Sequence, residues 1–162
     1  MLDYMFSKIM KSIENNFENI QVNDLLTKHF IELRSVSPEG STHVLDIPGL
    51  KIPSIKFWSF WENGELVGCG ALKFIDKNHG EFKSIRVANN FRGKKLGIKI
   101  IENLISKAKG LEIKKISIET GAGDFFAPAR KLFLKSGFTP CEPFAHYTKD
   151  PNSCYFSLNF ES

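Results

Sequence analysis

Apolar residues recur along this chain with two periods, and the switches between them divide it into helices and strands. Leu2, Met5, Phe6, Ile9 and Ile13 follow helical spacing, which predicts an amphipathic helix at the amino end. A strand is expected over residues 17–22. A helix follows with Leu26, Phe30 and Leu33 on one face, opened by Asn23 or Asp24 as its cap. Residues 35–53 are rich in Ser, Pro and Gly and read as a long loop, a kind of segment that often carries function.

Three strand patterns come next, over residues 55–62, 65–75 and 81–88, with hairpin turns at Asn63-Gly64 and Asn78-His79-Gly80. The clearest helix is 97–109, where Ile100, Ile101, Leu104, Ile105 and Ala108 form one stripe. Residues 114–120 read as a strand. Asp124 can cap a helix to Lys135, with Pro128 tolerated in a first turn whose N–H groups lack intrahelical partners. Gly137 stops that helix, and residues 154–160 form a last strand. This order predicts an α/β fold with a mixed sheet, as one domain over residues 1–162, in which 1–16 are a helical extension.

Composition narrows the function classes. A chain of 162 residues that is 42% hydrophobic can bury one sizeable core. Its three cysteines, Cys69, Cys141 and Cys154, are far apart and form no C-x-x-C pair, so neither a disulfide framework nor a metal site is expected. Free thiols suit a reducing cytoplasm. Lys8 and Lys11 interrupt the first apolar pattern, so no secretory leader is expected, and no stretch is long enough to span a membrane. The net charge of +4 is modest and suits an anionic ligand. The one dense basic cluster, Arg92-Gly93-Lys94-Lys95, sits in a turn rather than along a helix face, so a nucleic-acid partner is not expected. Templates for other enzymes are missing: Gly68-Cys69-Gly70, for one, lacks the third glycine of a dinucleotide fingerprint.

The informative segment is a strand ending Ile85-Arg86-Val87, a turn through Arg92, Gly93, Lys94, Lys95, Leu96 and Gly97, and then the strongest helix. Inward backbone N–H groups and a helix amino terminus make such a turn an anion site. In isolation it is more often a plain strand-to-helix connection. It resembles, however, the pyrophosphate loop of the GNAT superfamily of acyl-CoA N-acyltransferases, which has the pattern Q/R-x-x-G-x-G/A after the fourth strand. Arg92, Lys95 and Gly97 take the arginine, first-glycine and last-glycine positions. Lys95 departs from the pattern, keeping positive charge but not the freedom of glycine.

A second segment, Ala129-Arg130-Lys131-Leu132-Phe133 with Lys135-Ser136-Gly137-Phe138, is similar to the family's A-x-x-L-Y-x-x-x-G-F helix. Further stretches (SPEGSTHVLD, WENGELVGCGALK, HGEFKSIR, ETG, PAR and CEPFAHYTKDPNS) resemble the bacterial YsnE-like branch and cover most of the chain after Val22. The resemblance implies a mixed, mostly antiparallel central sheet flanked by helices, with the amino-terminal helix as an addition. It also implies acetyl-CoA as co-substrate without a metal, and a small amine or amino-acid-like acceptor, and it leaves a homodimer open. A CoA-binding regulatory module with weak or no catalysis is the alternative.

In this family the fourth and fifth strands part and the pantetheine arm enters between them. The segment Ile85, Arg86, Val87 would then bind the cofactor, with unpaired backbone groups of Ile85 and Val87 taking its amides. The Val87 N–H would stabilise the developing oxyanion. Glu81 is the first choice of general base, expected on one face with Lys83, Ile85 and Val87 by two-residue alternation; the plainer reading pairs it with a strand neighbour or with Lys83. His43 is the second choice. Phe133 stands where the family has the tyrosine that protonates the leaving thiolate, so Tyr147, water or an unassisted thiolate would replace it. Phe126 stands where the motif has an asparagine. Glu39 and His43 are the better acceptor-specificity candidates; Phe57, Trp58, Phe60 and Trp61 could line an acceptor pocket, yet apolar residues of both parities in a central strand are more often core.

Overall fold

The computed structural model describes residues 9–160. Leu2, Met5 and Phe6 of the expected amino-terminal helix lie outside the described residues. Ile13 does not lie in a helix: strand β1, Lys11–Glu14, pairs antiparallel with β2, Ile55–Glu62, and sets Ile13 opposite Ser59. An open sheet edge offers a row of unpaired backbone groups, and pairing with it outweighs a weak local helical pattern.

Helix α1, Ile20–Val36, begins earlier than expected. The Asn19 side chain accepts from the N–H groups of Gln21 and Val22 at 2.9 and 3.1 Å, which caps the helix there rather than at Asn23 or Asp24. The strand expected over residues 17–22 is therefore replaced by a cap and a first turn. Val22, Leu25, Leu26 and His29 form its buried face. Within the long loop, Asp46 accepts from the Gly49 N–H at 2.8 Å and starts a one-turn helix α2, Ile47–Leu50, which buries Leu50.

Strands β2, β3 (Glu65–Phe74) and β4 (His79–Val87) form the expected meander. The first turn is the left-handed pair Asn63 and Gly64, with φ of 52° and 75°. The second turn comes before the expected Asn78-His79-Gly80: the Asp76 carboxylate accepts from the N–H groups of Asn78 and His79, so β4 already starts at His79. Helix α3 (Leu96–Gly110), β5 (Lys115–Gly121), α4 (Ala127–Lys135), the two-residue β6 (Thr139–Pro140) and β7 (Ser153–Asn159) complete the chain. Asp124 makes no capping hydrogen bond and opens a short 3-10 turn, Asp124–Phe126, ahead of α4.

The sheet order is β1-β2-β3-β4-β5-β7-β6, and among the described residues only β4 and β5 pair in parallel. Both faces are covered. Phe60, Val67, Leu72 and Phe82 pack under α3 and α4 with Ile100, Ile101, Leu104 and Phe133, while Phe57, Cys69 and Ala71 pack under α1 and α2 with Leu25, Leu26 and Leu50. A strand buried on both sides has apolar residues at both parities, which is why β2 carries its four aromatic residues in succession around Ser59. No helix among the described residues is long and apolar enough to cross a membrane.

Candidate active site

Two irregularities in β4 build the site. Its parallel ladder with β5 holds only from His79 opposite Lys115 to Glu81 opposite Ser117, although β4 continues to Val87 and β5 to Gly121. On its other edge β4 pairs Lys83 with Ala71 but Arg86 with Cys69, so three steps of β4 face two of β3. The extra residue is a bulge at Ser84, which has a left-handed φ of 54°.

The bulge corrects the expected facing of the site residues. Residues opposite one another on neighbouring strands share a sheet face. Glu81, Lys83 and Arg86 thus join Lys73, Ala71 and Cys69 on the α1 side. Val87 lies opposite Gly68, and both Val87 and Ile85 pack on the α3–α4 core with Phe82. Ile85 and Val87 do not share a face with Glu81 and Lys83, because one inserted residue reverses the alternation. The Ala88 N–H bonds the Val67 carbonyl on β3 at 2.9 Å. By alternation the backbone groups of Val87 and Ile85 point the other way, into the gap left by β5.

That gap opens into a cleft of about 670 Å³ lined by Lys83, Ile85, Val87, Arg92, Gly93, Lys95, Leu96, Gly97, Phe126 and Phe133, among others. At its rim Gly93 has φ 80°, and Lys95 caps α3 with φ 62° and no side-chain hydrogen bond to the first turn. Lys95 therefore adopts the left-handed conformation for which its family position favours glycine. The free N–H groups of the α3 start face the cleft with the helix dipole behind them. Lys94 is exposed and its Nζ lies 5.3 Å from the centroid of Phe91. Gly97 serves packing: a Cβ there would come within 2.9 Å of Leu132 Cδ2 on α4.

The Arg86 side chain reaches Glu32 of α1, with Nη1 2.8 Å from Oε1, and lies 3.4 Å from His29 Nδ1, while Arg92 of the loop approaches the same Glu32 oxygen at 3.8 Å. The Arg86 hydrogen bond holds the Glu32 carboxyl below its usual range. Burial first, and the Arg86 charge second, lower the pKa of His29 to about 4.

Glu81 is buried to 1% exposure and lines none of the cavities described here. The Tyr147 hydroxyl donates to its Oε2 at 2.5 Å, and Lys83 Nζ lies 3.2 Å from the same oxygen and 3.1 Å from the Tyr147 oxygen. Burial and the Glu81 charge push the phenol pKa up, so Tyr147 stays protonated. Phe133 is on the opposite sheet face, packed on Phe138 and Phe156.

A side chamber of about 200 Å³ adjoins the cleft and shares Leu33, Glu119, Thr120 and Phe126 with it. His43 lines this chamber, its ring 5.0 Å from that of Tyr147, and burial, then Lys83, lower its pKa. Glu39 is exposed and lines none of these cavities. Sequence reasoning missed Glu119, at the carboxyl end of β5. Its Oε2 accepts from the Ser153 hydroxyl at 2.8 Å, and burial raises its pKa to about 7. The signal was available in ETG, one of the stretches already noted. Arg130, from the PAR stretch, donates to the carbonyls of Gly121 and Gly123 at 2.7 and 2.8 Å and so fixes the turn that walls the chamber.

A parted β4–β5 pair, a bulge in β4 and a helix start at the rim of the gap are what the resemblance to acyltransferases implies, and the comparisons agree on the class. The chain belongs to the acetyltransferase (GNAT) family, whose model matches residues 20–138. It is 42% identical over 137 residues to the uncharacterised N-acetyltransferase YsnE of Bacillus subtilis, covering 85% of this chain and 91% of that one. It is 39% identical to the uncharacterised N-acetyltransferase YedL of Escherichia coli, covering 85% and 86%. Among solved structures, a GNAT family acetyltransferase from Elizabethkingia anophelis with acetyl-CoA bound shares the fold at a TM-score of 0.65 and 18% identity, over 94% of this chain and 99% of that one.

Proposed function

We propose that this protein transfers the acetyl group of acetyl-CoA directly to a small amine in the cytoplasm. The observation that carries this reading is the loss of β4–β5 pairing beyond Glu81 and Ser117, beside a turn whose donors face the resulting cleft. The residues fit the co-substrate. Arg92, Gly93, Lys95 and the first N–H groups of α3 would hold its pyrophosphate, and the backbone of Ile85 and Val87 its pantetheine arm. Acetyl-CoA supplies an activated thioester. The Val87 N–H would polarise its carbonyl, and Phe126 and Phe133 would shield the reacting end from water. Glu81, enclosed by Lys83 and Tyr147, would fix the position of Lys83 at the cleft wall rather than meet the acceptor. Free cysteines, with the Cys69 thiol pushed up to about 12 by burial, suit a reducing compartment.

The test is calorimetric titration of acetyl-CoA into the parent and an Arg92→Glu variant, with release of free CoA followed over an amine panel. Tight binding lost in Arg92→Glu, and CoA release with at least one amine, are expected. Absence of acetyl-CoA binding by the parent would sink the reading. The second reading, a CoA-binding module that turns over poorly, draws on Phe133 in place of a proton-donating tyrosine. It predicts binding without amine-dependent CoA release.

A further inference from the structure

The chamber beside the cleft has an uneven chemistry. Among its described lining residues Glu119 is the one charged side chain, and no Lys or Arg lines it. Burial, then the Lys83 charge, lower the pKa of His43 and so favour its neutral form. The remaining walls are apolar, as at Leu33, Val36 and Val44, or carry neutral polar groups, as at Ser41, Thr42 and Asn152. The nearest cation on β4, Lys83, is engaged by Glu81 and Tyr147. A pocket of this kind attracts a cation and holds no cationic side chain to pair with a carboxylate.

Resting on the acetyl-transfer reading, we propose that Glu119 receives the acceptor's ammonium at the junction of chamber and cleft and removes its proton, so that the acceptor is a small primary amine without an α-carboxylate. The position argues for this: Glu119 lines both cavities and is therefore placed where an amine in one meets a thioester in the other. Its partner Ser153 holds one carboxylate oxygen at 2.8 Å and leaves the second for the ligand.

The step balances. The ammonium gives one proton to the Glu119 carboxylate, and the freed lone pair forms the N–C bond to the thioester carbonyl carbon. The C–S bond breaks, and the nitrogen's next proton passes to the departing sulfur, giving the amide and CoA thiol. Glu119 then loses its proton to solvent. The charged and titratable groups around the carboxylate are Lys83 and Glu81 on β4, Tyr155 on β7, Asp150 ahead of it, Tyr147 and His43.

Three readouts test the proposal in the full chain. Matched pairs differing only in the α-carboxylate, isobutylamine with valine and phenethylamine with phenylalanine, are compared by kcat/KM; the amines should be favoured at least about tenfold. Glu119→Gln should lower kcat/KM for the amines by about 10²–10⁴-fold and remove an inflection near neutrality from the pH profile, with Glu119→Asp restoring part of both. Calorimetry of phenethylamine into the protein saturated with CoA should show affinity lost in Glu119→Gln while acetyl-CoA binding stays at the parent level, which also shows that the variant is folded. Preference for the amino acids, or a Glu119→Gln enzyme with parental rate and pH profile, overturns the proposal and leaves acetyl transfer standing. A parent that fails to bind acetyl-CoA overturns the underlying reading instead.

Discussion

The Tyr147 hydroxyl reaches the same Glu81 oxygen that Lys83 reaches, and the tyrosine oxygen and the lysine nitrogen also touch, so the three groups form a closed triangle around a buried carboxylate. Tyr147→Phe removes a donor from a buried carboxylate and should cost about 1–3 kcal/mol in urea unfolding. Acetyl-CoA affinity should not change. A raised phenol pKa makes Tyr147 a weak acid, so a slowed chemical step in a fully stable Tyr147→Phe enzyme would contradict this structural role.

Phe133 tests proton delivery from the other face. Its ring is 5% exposed yet lines the cleft, so Phe133→Tyr can direct a hydroxyl toward the bound thioester. If thiolate protonation limits the rate, single-turnover transfer should rise, by up to about 10²-fold at the low end of general-acid effects. An unchanged rate would show that protonation of the thiolate by a side chain is not limiting.

Lys95 stands at φ 62°, where a non-glycine residue costs about 1–2 kcal/mol. Lys95→Gly relieves that cost but gains unfolded-state entropy, so its stability should equal the parent's or exceed it by up to about 1 kcal/mol. Lys95→Val, which cannot adopt this conformation easily, should lose about 1–2 kcal/mol. Urea midpoints in the reverse order would show that the turn is not left-handed.

Gly97 and Leu132 should couple. Gly97→Ala places a Cβ within 2.9 Å of Leu132 Cδ2, so the leucine side chain must shift, and that cost offsets the roughly 1 kcal/mol that alanine gains over glycine in a helix. In the Leu132→Ala background the same change should cost less, and a double-mutant cycle measures the difference. Additive losses would mean that α3 and α4 do not meet there.

Glu119 makes stability depend on pH. Its folded pKa, about 7, lies above the ordinary carboxyl value of 4.5, so the folded chain binds more protons between those values and loses stability as pH rises through them. At about 1.4 kcal/mol per unit, Glu119→Gln should gain on the order of 1–3 kcal/mol at pH 8 and nothing below about pH 4.5. Thermal or urea melts across that range, with a constant difference between the two proteins, would contradict the raised pKa.

Periodicity alone located β2, β3, α3 and β5 to within a residue or so, because each element's packing follows the same apolar pattern that the eye reads. The phosphate-type turn and the Phe133 helix were legible as motifs, since they are contiguous. Three features were not. The strand β1 exists because the edge of β2 is open to it, which no local pattern in residues 11–14 records. The facing of Ile85 and Val87 hangs on one bulge at Ser84, where the register against β3 decides which side every later residue takes. Glu119 became a candidate only once β5 had parted from β4, since its burial, its partner Ser153 and its place between two cavities come from segments distant in sequence. The amino-acid order thus determined the elements and the family, because those rest on neighbours along the chain; tertiary structure decided the site, because facing, burial and charge environment depend on neighbours in space.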